Sequence, residues 1–434
     1  MPSSTEHGAA GTEHGAAAAA AAAAGTATPA IDGERLWARL MALAEIGRRG
    51  ATGVDRAAFS PEDRAARRLL YGWASECGLE ASQDSIGNLF LRYPGRRVDL
   101  APVLTGSHLD SQPSGGRFDG VYGVLASLEA VAALSRAGVR PARSIEVVVW
   151  SNEEGGRFAP GAMGSQIFAG ARALPDVLSV RDSSGVMLGT ALADTLAALP
   201  EAAARENGRA PAAYLEAHIE QGPRLDREGI PVGVVVGIQG CLWLEYEVRG
   251  AAAHAGTTPH EYRRDALQGA ITLIGRLRDR CLGRSASCRF TVGRMSLEPN
   301  TPNTVPGRVT FTVDFRDADA VAFDELCRDL REASAPSPCE LEIRELFHHE
   351  PEIFAKQLVD VVAAAARRQN YPAYEIVSGA FHDALFVAKV CPVGMIFVRC
   401  RDGVSHNPLE YANPSDVTAG AQVLMAALLQ LTQE

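Results

Sequence analysis

The chain has 434 residues, more than the roughly 250–300 over which one hydrophobic core grows efficiently, so two domains are expected. Its composition, 47% hydrophobic and 22% charged, is that of a globular protein and excludes a fibrous or disordered chain. A formal charge of −10 argues against a nucleic-acid binder, which would present a basic face, and suits a soluble metabolic protein.

Residues 1–29 are mostly Ala, Gly, Ser and Thr with a near-repeat, TEHGAA, at Thr5 and Thr12; so little apolar surface predicts a disordered tail in which His7 and His14 are solvated. The alanine run at residues 16–24 is shorter than the ~20 residues that span a bilayer and follows Glu6 and Glu13 rather than a basic stretch. Neither a signal peptide nor a membrane anchor is expected. An amphipathic helical pattern starts at Ile31 and returns over residues 61–78, where Ser60 is the expected N-cap and Pro61 the first helical residue. Apolar, β-branched runs at 103–105, 145–150 and 232–236 predict strands, with a helix over 123–136 between the first two. This alternation predicts an α/β domain with a mostly parallel sheet, and ligands gather at the carboxyl ends of such strands.

From about 241 to 355 the texture changes. Residues 243–248 and 309–315 alternate like half-buried strands and 264–280 read as helix, which predicts an inserted α+β domain of about a hundred residues. Helix and strand patterns then resume, with a strand at 395–398, so the main domain is expected to comprise 31–240 and 356–434. The eight cysteines form no CxxC pair and are expected to be reduced, as in the cytoplasm.

Polar clusters follow the predicted strands. His108 and Asp110 form an H-x-D pair in which a carboxylate two residues along can receive the second imidazole proton, although a polar strand end would look the same. Asp119 lies in GGRFDG, where glycines permit a sharp turn and the carboxylate could bridge two cations, or simply form an Asp-Gly turn. Glu153 and Glu154 are adjacent after IEVVVW, so one can ligate a cation while the other acts as a base. His218 stands with Glu220 and Gln221, and His406 follows the strand at 395–398. Each histidine alone is more often structural than ligating. Together, three histidines and three acids at strand ends form an N/O ligand set that suits Zn²⁺ or Mn²⁺.

The segments GSHLDS, GGRFDG, SNEEGGRF, EAHIEQGP, GAAAHAGTTP, PNTVPG, VDFR, FHDA and GVSHNPLE run from residue 106 to 410. In order and wording they resemble the amidase, hydantoinase and carbamoylase branch of the M20 metallopeptidase family, which includes N-carbamoyl-L-amino-acid hydrolases, β-ureidopropionases and allantoate amidohydrolases. The resemblance implies a dinuclear-metal catalytic domain interrupted by a dimerisation lid. It implies that His108, Asp119 and His218 hold one divalent ion and Asp119, Glu154 and His406 the other, Zn²⁺ foremost, with Mn²⁺, Co²⁺ or Ni²⁺ as alternatives. Glu153 would be the general base and Asp110 the orienter of His108. His254 and Asn303 would reach the developing oxyanion from the lid of the partner subunit in a homodimer, and Arg316, assisted by Gln221, would grip a substrate carboxylate. The implied reaction is hydrolysis of the C–N bond of an N-carbamoyl-L-amino acid or allantoate, with release of ammonia and CO₂.

Two departures stand out. His260 follows Pro259 where relatives commonly carry methionine, which is expected to change the pocket lining, and Phe381 precedes His382 where a small residue is usual, which is expected to narrow the range of side chains accepted. His348 and His349 lack a partner motif and are expected at the surface. An aminopeptidase or dipeptidase of the wider family is disfavoured by His218 and Gln221. A non-catalytic paralogue should have lost a ligand or the base, and none is lost.

Overall fold

The computed structural model describes residues 29–206 and 210–433; the tail expected over 1–29, with His7 and His14, falls almost wholly outside them. The described residues build two large sheets and two short two-stranded pairings. Its longer strands are β1 (Glu80–Gln83), β2 (Leu89–Tyr93), β3 (Val103–His108), β4 (Ile145–Trp150), β5 (Ala213–Ile219), β6 (Val232–Ile238), β7 (Gly240–Arg249), β8 (Arg289–Glu298), β9 (Arg308–Asp317), β10 (Glu340–His349), β11 (Tyr374–Ser378) and β12 (Val393–Val398). The longer helices are α1 (Gly33–Ala44), α2 (Pro61–Glu76), α3 (Val121–Arg136), α4 (Ala266–Cys281), α5 (Ala320–Arg331), α6 (Lys356–Arg368) and α8 (Pro414–Thr432), with a short α7 (Asp383–Val387) before β12.

The large sheet runs β11-β6-β12-β5-β3-β4-β2-β1, with two-residue strands at its margins. Its centre, β12-β5-β3-β4, is parallel, while β6 and β2 join it antiparallel. Every residue of β3, β4, β5 and β12 is buried, as expected of parallel strands covered on both faces. Helix α3 packs on β3, α8 packs on α3 and β12, and α7 touches β5 and β12. Because the four central strands are parallel and in register, with His108 opposite Trp150 and Phe397 opposite His218, their carboxyl ends open on one edge.

The expected α/β class is observed, and most differences are extensions. β3 continues past Thr105 to His108, because Ser107 and His108 are polar but buried, Ser107 Oγ donating to Glu216 Oε1 at 2.7 Å. Helix α2 starts as expected, with Ser60 Oγ accepting from the Asp63 N–H at 3.2 Å and Pro61 in the first turn.

The second sheet, β8-β9-β7-β10, is antiparallel throughout. Leu242, Leu244, Tyr246 and Val248 of β7 and Val309, Phe311, Val313 and Phe315 of β9 point to one face, where α4 and α5 complete a core separate from that of the large sheet. β8 and β10 escape the sequence pattern because they are half-buried edge strands whose short alternations, Phe290 with Val292 and Leu341 with Ile343, are each broken by a register shift.

One buried acid ties the N-terminal helix to the main body. Glu129 of α3 has a fully buried side chain, accepts from Arg35 Nε at 2.9 Å and from Arg136 at 3.1 Å, and lies 3.7 Å from Arg39. Removing one partner of a buried charge group costs about 3–5 kcal/mol, and partial exposure of Arg35 and Arg136 reduces this. Glu129→Gln is therefore expected to lower unfolding stability by about 2 kcal/mol in urea titrations; a change below about 0.5 kcal/mol would show that solvent already carries the three arginines.

Candidate metal centre

His108 is the last residue of β3. Its Nδ1 donates to the backbone carbonyl of Asp110 at 2.9 Å, which turns Nε2 toward Asp119 and Glu153. This corrects the expected contact with the Asp110 carboxylate, whose nearer oxygen is 3.8 Å away. That carboxylate instead accepts the N–H groups of Glu153 and Glu154 at 3.2 and 3.1 Å. The sharp turn after β4 leaves both donors without strand partners, and a buried two-oxygen acceptor satisfies them. Asp110 thus positions the imidazole with its main chain and the two glutamates with its side chain.

His218 of β5 is oriented the same way, Nδ1 donating to the Ile219 carbonyl at 2.9 Å. Its Nε2 lies 3.2 Å from Asp119 Oδ1, while His406 Nε2 lies 3.2 Å from Asp119 Oδ2 and 3.5 Å from Glu154 Oε2. Asp119 therefore turns one oxygen to each of two groups. Ligand atoms of His108, Asp119 and His218 lie within 4.8 Å of one another, and so do those of Asp119, Glu154 and His406. These are the two sets that the resemblance implies.

Supporting residues hold the cluster. Gln112 donates to Glu154 Oε2 at 2.8 Å, and Gln221 Nε2 donates to Asp119 Oδ2 at 2.9 Å. Glu410, buried, accepts the N–H groups of Phe118 and Asp119 at 2.8 and 3.1 Å and the Ser405 hydroxyl at 2.9 Å, so it links the Asp119 turn to the His406 loop. Glu410 belongs to the GVSHNPLE segment, yet nothing in that local stretch gives it a role. Glu216 and His382 also escape the sequence pattern, and with His218 they bring ligand atoms within 4.8 Å. Glu216 is already bonded by Ser107, Tyr214 and the Ala384 N–H, and His382 Nε2 by Ser378 at 2.9 Å, so this pair packs behind His218.

The electrostatics are those of crowded acids out of water. Burial, then the nearby Asp119, pushes Glu154 up to about 8; burial, then Asp383 and Glu154, holds Glu153 well above the carboxylate range. Burial also acts upward on Asp119, but hydrogen bonds from His218 and His406 outweigh it and hold this acid well below its usual value. His218 rises to about 9 because its pairing with Asp119 overcomes burial, and His406 to about 9 through the same acid. Burial lowers His108 to about 4. Cations would relieve this surplus of negative charge, and the N/O donor set fits a divalent ion of the Zn²⁺ or Mn²⁺ type.

The cluster floors a cavity of about 1190 Å³ between the two sheets. Arg316 lines it, but its guanidinium already donates to Asp314 through Nε and Nη2, both at 2.9 Å, and to the Gly379 carbonyl at 2.7 Å. Phe381 lines the cavity, while the exposed His260 does not. His254 and Asn303 are exposed beside the short pairing of Ala253–His254 with Thr304–Val305 and do not line this chain's cavity. His348 and His349, expected at the surface, do line it. A bulge makes Leu346 the extra residue, since Trp243 pairs Phe347 while Leu244 pairs Glu345, and the end of β10 is re-aimed inward. His348 then stacks on Phe323 with centroids 5.8 Å apart.

An α/β domain with paired histidine and carboxylate sets at its strand ends, and an inserted sheet over them, defines a metallohydrolase scaffold. Residues 104–430 match the model of peptidase family M20/M25/M40. The chain is 40% identical over 410 residues to an N-carbamoyl-L-amino acid amidohydrolase of Geobacillus stearothermophilus, covering 93% of this chain and 99% of that one. It is 31% identical to a ureidoglycolate hydrolase of Arabidopsis thaliana, covering 93% and 87%. A crystal structure of an amidase of the hydantoinase/carbamoylase family from Burkholderia multivorans superposes with a TM-score of 0.88 at 43% identity, over 94% of this chain and 99% of that one. The chain belongs to peptidase family M20/M25/M40.

The fit around His108 is tight. Gly120 has φ +64°, and a Cβ there would overlap the His108 imidazole. Gly120→Ala is expected to weaken divalent-ion binding at least about tenfold in competition with a chromophoric chelator; unchanged affinity in a folded variant would remove His108 from the ligand set.

Proposed function

We propose that the protein is a metal-dependent amidohydrolase that cleaves the C–N bond of a ureido or N-carbamoyl acid, an N-carbamoyl-L-amino acid foremost, releasing ammonia and CO₂. The observation that carries this reading is Asp119, with His108 and His218 on one oxygen and His406 on the other. Bound there, two divalent cations, Zn²⁺ foremost, would supply Lewis-acid chemistry and raise the acidity of water. Holding them falls to His108, Asp119 and His218 on one side and Asp119, Glu154 and His406 on the other.

Glu153 is the base. Its carboxylate is buried at the cavity floor, with Oε2 3.5 Å from His108, and is not needed in either ligand set. It takes a proton from the attacking water and passes it to the leaving nitrogen. Arg316 is the carboxylate clamp: three of its five N–H donors are used by Asp314 and Gly379, which leaves two for a ligand and also fixes the plane of the fork. Gln221 assists from the rim of the ion site. His254 and Asn303 stabilise the oxyanion from the partner subunit of a homodimer; their exposure away from their own cavity supports this reading. Eight free cysteines fit a reducing cytoplasm, and among the described residues no helix is long and apolar enough to cross a membrane.

Ammonia release from N-carbamoyl-L-amino acids, N-carbamoyl-β-alanine and allantoate tests the reading directly. Turnover of at least one, two divalent ions per chain by elemental analysis and loss of activity on chelation are expected; full activity with trace metal would overturn the mechanism. The two adjacent glutamates separate further. Glu153→Gln is expected to reduce turnover at least about a thousandfold with metal content intact, whereas Glu154→Gln should lose one ion. Equal metal loss in both variants would show that their roles are wrongly divided.

A further inference from the structure

The solvent-facing side of the second sheet ends over the cavity, and its cross-strand register groups unlike chemistry there. Cys241 lies opposite Arg316 and His349, and Trp243 lies opposite Asp314 and Phe347, so Arg316, Trp243 and Phe347 project from one face. Diagonal neighbours on such a face are about 7–8 Å apart, the scale of one amino acid. The rings of Trp243 and Phe347 are 5.1 Å apart between centroids, and Phe381 from the opposite wall stands 6.1 Å from Phe347. The β-bulge adds Leu346 to the same lining. Trp243 is 36% and Leu346 41% exposed, so the cavity wall holds apolar surface that this chain does not cover and that a ligand would remove from water.

We propose that Trp243, Leu346, Phe347 and Phe381 form a side-chain subsite that selects N-carbamoyl amino acids bearing a bulky apolar or aromatic α-substituent. The inference rests on the functional reading above. An α-carbon carries its carboxylate, its ureido nitrogen and its side chain as three diverging groups. With the carboxylate at Arg316 and the ureido carbonyl at the Asp119 cluster, the remaining substituent runs along the face on which Trp243 and Phe347 stand. A hydrogen or a hydroxyl in that place would leave the rings wet and gain nothing from them. Phe381, which stands where relatives usually carry a small residue and is expected from the sequence to narrow the range of side chains accepted, thereby shapes the pocket as one wall of an aromatic cleft.

The test compares kcat/KM for N-carbamoyl-L-phenylalanine and N-carbamoyl-L-leucine with that for N-carbamoylglycine and ureidoglycolate, using the metal-loaded full chain. The bulky substrates are expected to be favoured at least about tenfold, and Trp243→Ala and Phe347→Ala to reduce that ratio at least about fivefold, both sites being part-exposed so that folding tolerates truncation. Calorimetric binding of N-carbamoyl-L-phenylalanine and N-carbamoylglycine to Glu153→Gln gives the same comparison without turnover. Equal efficiencies and equal affinities for the two, or an unchanged ratio in both folded variants, would overturn the subsite. Absence of turnover for every ureido acid would overturn the functional reading instead, and the binding ratio would still decide the subsite.

Discussion

Asp119 sits out of water with an imidazole within 3.2 Å of each carboxylate oxygen, and the site is organised around that arrangement. A buried carboxylate of this kind persists only when opposing charge and donors surround it. The parallel strands supply this by ending together: β3 delivers His108, β5 delivers His218, the turn after β4 delivers Glu153 and Glu154, and the loop beyond β12 delivers His406. Main-chain carbonyls orient His108 and His218, and the Asp110 carboxylate holds the backbone of Glu153 and Glu154.

The surrounding acids make the same demand on a larger scale. Asp110, Asp119, Glu153, Glu216, Asp383 and Glu410 are all buried around one corner of the sheet. Burial acts upward on each of them, and for Glu153 and Glu154 the neighbouring carboxylates add to it. Such a corner is unfavourable as bare protein and favourable around divalent cations, which is the physical link between this fold and a hydrolytic function. The inserted sheet completes the corner differently: it brings no ligand to the cluster but roofs it with Arg316, Trp243 and Phe347, so chemistry and recognition come from separate cores.

Much of this is legible in the amino-acid sequence. The strands over 145–150 and 395–398 and the alternation around Trp243 and Phe315 follow from contiguous runs, since apolar periodicity is a property of the local chain, whereas the division of the ligands into two sets follows from the family resemblance carried by the order of the motifs. Edge strands β8 and β10 are harder to read there, because the alternation of Phe290 with Val292 and of Leu341 with Ile343 is short, only half-buried and broken by a register shift in each strand.

By itself, then, the sequence determined the residue types of the site, the parallel α/β core that presents them and the interruption of that core by a second unit. Tertiary structure alone decided the partners. The Asp110 carbonyl rather than its carboxylate holds His108, Glu410 grips the Asp119 turn from 291 residues away, Glu129 gathers arginines from α1 and α3, and His348 and His349 face a cavity instead of solvent. The reason is physical: which donor meets which acceptor depends on strand register, a bulge at Leu346 and the packing of distant segments, none of which is written in the periodicity of any one stretch of chain.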